Sequence, residues 1–443
     1  MIVQESRAAP VVAFFVFYRV GSRHETPGLT GASHWVEHML FRGTPRFPPG
    51  ALDRAMARAG AVFNALTSPD ITVYYETLPA AQLPLAIDAE SDRMCSASFD
   101  PEDFDAERTV ILSELEGAEN SAYWLLMDEV RAVAYQVHGY HHPTIGWRAD
   151  LVGLTRDELY AYYRRFYTPE NAVIAAVGDF DAEDALQQIR QAFAPIPRAE
   201  KSSTARRVVE PVQRAERRVT LYGSEPTAHV LAAFHAVDAR HADFFAFAVM
   251  DAILSGAKGM GLFGEGINSR KTRLHQALVE TELAVSAGTW FEPTLDPGLF
   301  WLYAAHSPEV AHATVEAALF AEAARLQAGD VTTAELQRAV KQTRAQFAYS
   351  RESVSAQAYW LGFSAMLEDP AWAESWSERL AAVTLADVQR VATDCFVRTN
   401  RTVGWFVPEA DDAMTADAAE DAGDDAAEQA AEQTQAALHA VTP

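Results

Sequence analysis

Apolar and polar positions along the chain follow two periods. VVAFFVFYRVGSR (11–23) is a near-continuous apolar run of β-branched and aromatic residues ending at Gly21, and it predicts a buried strand. GASHWVEHMLFRG (31–43) spaces its apolar residues helically and stops at Gly43. GALDRAMARAGAVFNALTSPDITVYYETLP (50–79) predicts a helix, a turn at Gly60, and two strands around Ser68-Pro69-Asp70. LPLAIDAESDRMCSASF (83–99) has helical spacing, and a further helix opens with Asp100 as cap and Pro101 in its first turn. NAVIAAVGDFD (171–181) predicts a buried strand and turn, followed by a helix over 182–193.

PIPRAEKSSTARRVVEPVQRAE (195–216) has no periodicity and marks a linker. A similar order then recurs: strand 229–236, helix 243–256, a Gly-rich turn, helix 272–280, strands 283–292 and 298–307, then helices. Aligning VEHMLFRG (36–43) with VMDAILSG (249–256) indicates a divergent internal duplication. The pattern predicts an α+β fold of two related domains, each a mainly antiparallel sheet with packed helices. The expected divisions are a first domain over 1–197, a linker over 198–212, a second domain over 213–408 and an acidic tail over 409–443.

The 443 residues carry a net charge of −25, which argues against nucleic acid or an anionic membrane as main partner. Ten of the acidic residues fall in 409–443, which has no Lys or Arg and almost no large apolar residue, so that segment is expected to stay solvated. Cys95 and Cys395 are expected to be two thiols in a reducing compartment. No signal segment or membrane-spanning run is evident, so the expected location is cytoplasmic.

His34 and His38 stand four apart on the predicted 31–43 helix, close enough to aim two imidazoles at one ion. Glu37 projects near the same face, where it could take a proton from a metal-activated water. H-x-x-E-H is short enough to arise by chance, and histidines beside an apolar stripe often only pack, so a third ligand is needed. ERTVILSELEG (107–117) carries Glu107 and Glu114 two helical turns apart beside Val110 and Ile111, an inward-facing carboxylate pair. The Gly-rich SGAKGMGLFGEG (255–266) lacks Gly-Lys-Ser/Thr and reads as a loop.

These residues resemble the pitrilysin/insulinase-type inverted zincin metallopeptidases, in the half-length form related to mitochondrial processing peptidase. GASHWVEHMLFRGT matches the signature stretch, Glu114 follows His38 by the family's interval of 76 positions, and HHPTIGW and FYTPENAVIAAVGDFD match the close of the first domain. The resemblance covers about residues 10 to 408, loosely in the second half. It implies half of a clamshell zinc endopeptidase, with His34, His38 and Glu114 as ligands and Glu37 as general base. It further implies Glu107 as an acid orienting a ligand, and peptide added to a sheet edge near Asn64 and Ala65. Of His138, His141 and His142 it implies only a structural His-Pro.

The second half departs from the family. ALVETELAVS (277–286) has Val279 and Val285 where relatives that complete the cleft carry Arg and Tyr. The expectation is therefore a heterodimer with a similar-sized subunit bearing that Arg/Tyr pair. The alternative is a homodimer using Arg270 or Arg273. A catalytically silent scaffold subunit of the same fold is the rival functional reading.

Overall fold

The computed structural model describes residues 1–198, 208–259 and 270–409. The expected acidic tail, most of the linker and most of the Gly-rich loop lie outside the described residues.

The first half contains β1 (Ile2–Glu5), β2 (Val11–Tyr18), β3 (Val62–Thr67), β4 (Thr72–Pro79) and β5 (Ala172–Gly178) in the order β1-β5-β2-β4-β3. Its helices are α1 (Ala32–Met39), α2 (Ala51–Ala59), α3 (Leu83–Ser96), α4 (Pro101–Glu119), α5 (Ala122–Ala134), α6 (Arg148–Gly153), α7 (Arg156–Phe166) and α8 (Ala182–Phe193). The second half contains β6 (Arg217–Gly223), β7 (Ala228–His235), β8 (Ser286–Trp290), β9 (Leu299–His306) and β10 (Arg401–Pro408) in the order β6-β10-β7-β9-β8. Its helices are α9 (Phe244–Ser255), α10 (His312–Gln327), α11 (Thr333–Tyr349), α12 (Val354–Met366), α13 (Trp376–Ala381) and α14 (Leu385–Cys395).

The two sheets share one topology. Each is antiparallel except for its first strand, which runs parallel to its last: β1 beside β5, and β6 beside β10. The α+β expectation and the repeated order both agree with this arrangement.

Sequence periodicity did not reveal which helices cover which sheet. Strand β2 is buried on both faces. Val12, Phe14, Val16 and Tyr18 pack under first-half helices, whereas Ala13, Phe15 and Phe17 join a core with second-half residues. Helix α12 of the second half lies on β2 and β5, and α5 of the first half lies on β6, β7 and β10. A Cβ on Gly362 of α12 would sit 2.0 Å from the Phe17 ring, and one on Gly404 of β10 would sit 2.3 Å from Val130 of α5. Arginines cap both exchanged helices: Arg19 donates to Ala365 O and Met366 O (3.0 Å each), and Arg217 donates to Val133 O (2.8 Å) and Ala134 O (2.5 Å).

Several local expectations are corrected. The expected helix over 272–280 is present over 273–279, but only its first two residues are α-helical and His275–Val279 winds as a π turn. Strands β1, β6 and β10 were not anticipated. Within the expected linker, Glu210 accepts the N–H groups of Gln136, Val137 and His138 (2.6–3.0 Å), so that part is docked on the first half.

Candidate metal centre

The centre is built on α1 and α4. Gly31 precedes α1 at φ 87°, and a Cβ there would meet Ile145 O at 2.4 Å. The buried Glu25 carboxylate accepts N–H bonds from Gly31 (2.8 Å) and Ser33 (2.7 Å), satisfying donors that a helix start leaves open. Trp35 then stacks flat on Phe104 of α4, centroids 4.6 Å apart, with the Arg108 guanidinium over the indole. These contacts fix how one helix faces the other.

At that junction the side chains of His34, His38 and Glu114 converge. One potential ligand atom from each lies within 4.8 Å of the other two. His34 Nε2 is 3.8 Å and His38 Nε2 3.6 Å from Glu114 Oε2. The Nδ1 of His38 is 2.8 Å from Glu107 Oε2, so Nδ1–H donates there and Nε2 is turned toward Glu114. Glu107 is 2% exposed, and its other oxygen pairs with the Arg42 guanidinium. Burial holds His34 neutral, pushing its pKa down to about 3.

The donor set fits zinc. Two neutral imidazoles and a carboxylate are ligands that zinc accepts, and three protein ligands leave a position for water. The centre also holds the carboxylates of Glu37, Glu107 and Glu114 around one arginine, Arg42, a local excess of negative charge that a divalent cation offsets.

Glu37 receives a hydrogen bond from the Thr67 hydroxyl at the end of β3, and burial raises its pKa. It lines an open cavity of about 540 Å3 together with His38, Glu114, Phe63, Asn64 and Val110. β3 is the outermost strand of its sheet, so among the described residues one edge carries no partner strand. The Ala65 N–H is taken by the Asn64 side-chain oxygen at 2.9 Å. Sequence reasoning missed Arg42 and Thr67. Their signals were the i, i+4 spacing of Arg42 from His38, and the β alternation that puts Thr67 on the same face as Ala65.

At the aligned positions of the second half, Phe247, Met250 and Asp251 are buried in α9, and Asp251 is paired with Lys258 at 2.7 Å. His34, His38 and Glu114 are the only metal-capable cluster among the described residues, which leaves His138, His141 and His142 outside any such group. His138 faces Asp296 at 3.3 Å and His142 faces Glu25 at 3.8 Å. Val279 ends the π turn and Val285 is 75% exposed. Arg270 is exposed, while Arg273 is buried against Glu335 at 2.8 Å and does not reach out of the chain. Cys95 and Cys395 are free thiols. No helix among the described residues is long and apolar enough to cross a membrane.

The family model described as insulinase, peptidase family M16, matches residues 1–147, and that described as peptidase M16 inactive domain matches residues 153–343. The chain belongs to peptidase family M16. The M16 match over 1–147 contains His34, Glu37, His38, Glu107 and Glu114, and most of the second half, whose described residues hold no metal-capable cluster, falls under the inactive-domain match. An uncharacterized zinc protease of Streptomyces coelicolor is 29% identical over 87% of this chain and 82% of the relative. The mitochondrial-processing peptidase subunit beta of Lentinula edodes is 27% identical over 85% of this chain and 81% of the relative. The crystal structure of a protease from Helicobacter pylori superposes with a TM-score of 0.85 at 25% identity, covering 92% of this chain and 97% of that one.

Proposed function

We propose that this M16 chain is a zinc-dependent endopeptidase acting on peptides or unfolded segments, in company with a second subunit. The observation that carries this reading is the convergence of His34, His38 and Glu114 beside Glu37, next to a sheet edge that has no partner strand among the described residues. His34, His38 and Glu114 would hold the zinc, and Glu107 orients His38 by accepting its Nδ1–H. Zinc bound there would supply Lewis acidity toward water and the scissile carbonyl.

The chain's own groups do the rest. Glu37 accepts the proton of the attacking water and delivers it to the leaving amine. An extended substrate adds to the outer edge of β3, with its main chain near Asn64 and Ala65, where main-chain bonding gives broad sequence tolerance. Val279 and Val285 offer no cation or phenol to grip the peptide from the opposite side. That supports a partner of similar length carrying an Arg/Tyr pair, as does the likeness to a relative named as a beta subunit. The free thiols are in keeping with a reducing, cytoplasmic setting.

Glu37→Gln tests the reading. Bound zinc should stay at one per chain, while peptide hydrolysis falls about 10²–10⁴-fold, the usual contribution of a positioned general base. Wild-type turnover in that variant would refute it. A wild-type chain that binds no zinc would favour the scaffold reading. Activity of the lone chain that is weak, and restored by an Arg/Tyr-bearing M16 relative, supports the heterodimer, whereas full activity alone defeats it.

A further inference from the structure

We infer that Thr67 is the positioning residue that aims Glu37, coupling the peptide-binding strand to the general base. This rests on reading Glu37 as the base. Among the described residues, Thr67 Oγ1 is the one hydrogen-bond donor to the Glu37 carboxylate, which it meets at Oε2. That leaves Oε1 to take the proton. The histidines flanking Glu37 are held otherwise, His38 by Glu107, and both lie close to Glu114. Glu37 has three rotatable side-chain bonds, and no neighbour on α1 or α4 donates to its carboxylate. Its aim is therefore set from the sheet.

Position 67 suits this task for a reason of register. Side chains alternate along a strand, so Phe63, Ala65 and Thr67 share one face of β3. That face meets α1: the Phe63 ring lies 6.1 Å from that of Phe41, just past the end of α1, and Thr67 reaches Glu37. The main chain of the same strand presents the open edge to which peptide adds. One residue, Leu66, separates Ala65 from the Thr67 whose hydroxyl holds the base, so a peptide aligned on Ala65 is also aligned on Glu37. A one-residue slip of β3 would turn Thr67 to the other face and break the bond. Thr67 touches neither substrate nor metal in this scheme and acts through Glu37.

Thr67→Val keeps the shape and removes the hydroxyl, Thr67→Ala removes both, and Thr67→Ser keeps the hydroxyl. With an internally quenched peptide, Thr67→Val and Thr67→Ala should lose about 10–100-fold in kcat, the range for a lost hydrogen bond to a charged group. Their KM should stay within about twofold, because the binding edge is untouched. Zinc per chain should be unchanged, and Thr67→Ser should restore kcat to within about threefold. Crystal structures of the metal-free variants give a readout independent of turnover: Glu37 should swing from its place in Thr67→Val and keep it in Thr67→Ser. Wild-type kcat in Thr67→Val, equal impairment of the Ser and Val variants, or an unmoved Glu37 in the Thr67→Val crystal would each overturn the assignment. If Glu37→Gln leaves hydrolysis unaffected, the base reading itself has failed. The crystals of the variants then still decide whether Thr67 holds the carboxylate.

Discussion

Replacing Glu107 tests how much of the metal affinity is set behind the ligands. Its carboxylate is 2% exposed and serves two donors at once: Oε2 takes the His38 Nδ1–H at 2.8 Å, and Oε1 takes the Arg42 guanidinium. A Gln at this position has one acceptor oxygen for two donors, and its amide nitrogen would face the other donor. Either His38 loses its orienting partner or the partly solvated Arg42 guanidinium is left facing an N–H. A hydrogen bond involving a charged group is worth about 1.5–3 kcal/mol. Zinc affinity should therefore weaken about 10–100-fold in Glu107→Gln, in line with losses behind a metal ligand. Glu107→Ala removes both acceptors and should weaken binding further, with about 1–3 kcal/mol of stability lost, chiefly for the stranded His38 N–H, because the Arg42 guanidinium can turn to water. Competition against a chromogenic zinc chelator measures the first effect, and urea unfolding of the metal-free protein the second. Wild-type affinity in Glu107→Gln, or equal losses in the Gln and Ala variants, would refute the two-donor argument.

Two further outcomes are expected. Gly362→Ala should destabilise the chain by about 1–3 kcal/mol through overpacking against Phe17, although alanine favours an exposed helix by about 1 kcal/mol; an unchanged or raised Tm would show that Phe17 yields freely. In the metal-free protein, burial raises Glu25 to about 8 and Glu76 to about 7 from an ordinary 4.5, so their stabilising contribution is whole below pH 4.5 and is lost as pH climbs through 7 to 8. Burial lowers His142 to about 4 and His24 to about 3 from 6.5, so their contribution is whole above pH 6.5 and is lost as pH falls toward 3. Urea midpoints should therefore decline from pH 6.5 to 8, with a shallower slope in Glu25→Gln; a rise over that window would contradict the burial argument.

The H-x-x-E-H segment was legible because both histidines and Glu37 sit on one short helix, where spacing alone dictates proximity. Glu107 and Glu114 were legible as a pair for the same reason, but their approach to α1 is tertiary and depends on Trp35 stacking on Phe104. Strands β1, β6 and β10 were harder. IVQE is four residues long, RRVTLYG opens on two arginines, and RTVGWFVP follows a long helical tract. Leu274 and Leu278 at i, i+4 suited a helix, and the segment is helical over 273–279; nothing in that spacing marks the π winding over His275–Val279 or the turn at Glu282, at φ 61°, that precedes β8. No local pattern tells a helix which of two similar sheets it will cover, so the placement of α5 and α12 could not be read from periodicity.

That placement bears on how the gene can change. A chain cut back to residues 1–197 would lose α12 and turn Ala13, Phe15, Phe17, Val173, Ala175 and Val177 toward water. It would also keep α5 with no sheet beneath it. Each half thus supplies a helix that the other half's sheet needs, so the second half, with Phe247, Met250 and Asp251 at the positions aligned with His34, Glu37 and His38, is required for folding although it contributes no ligand.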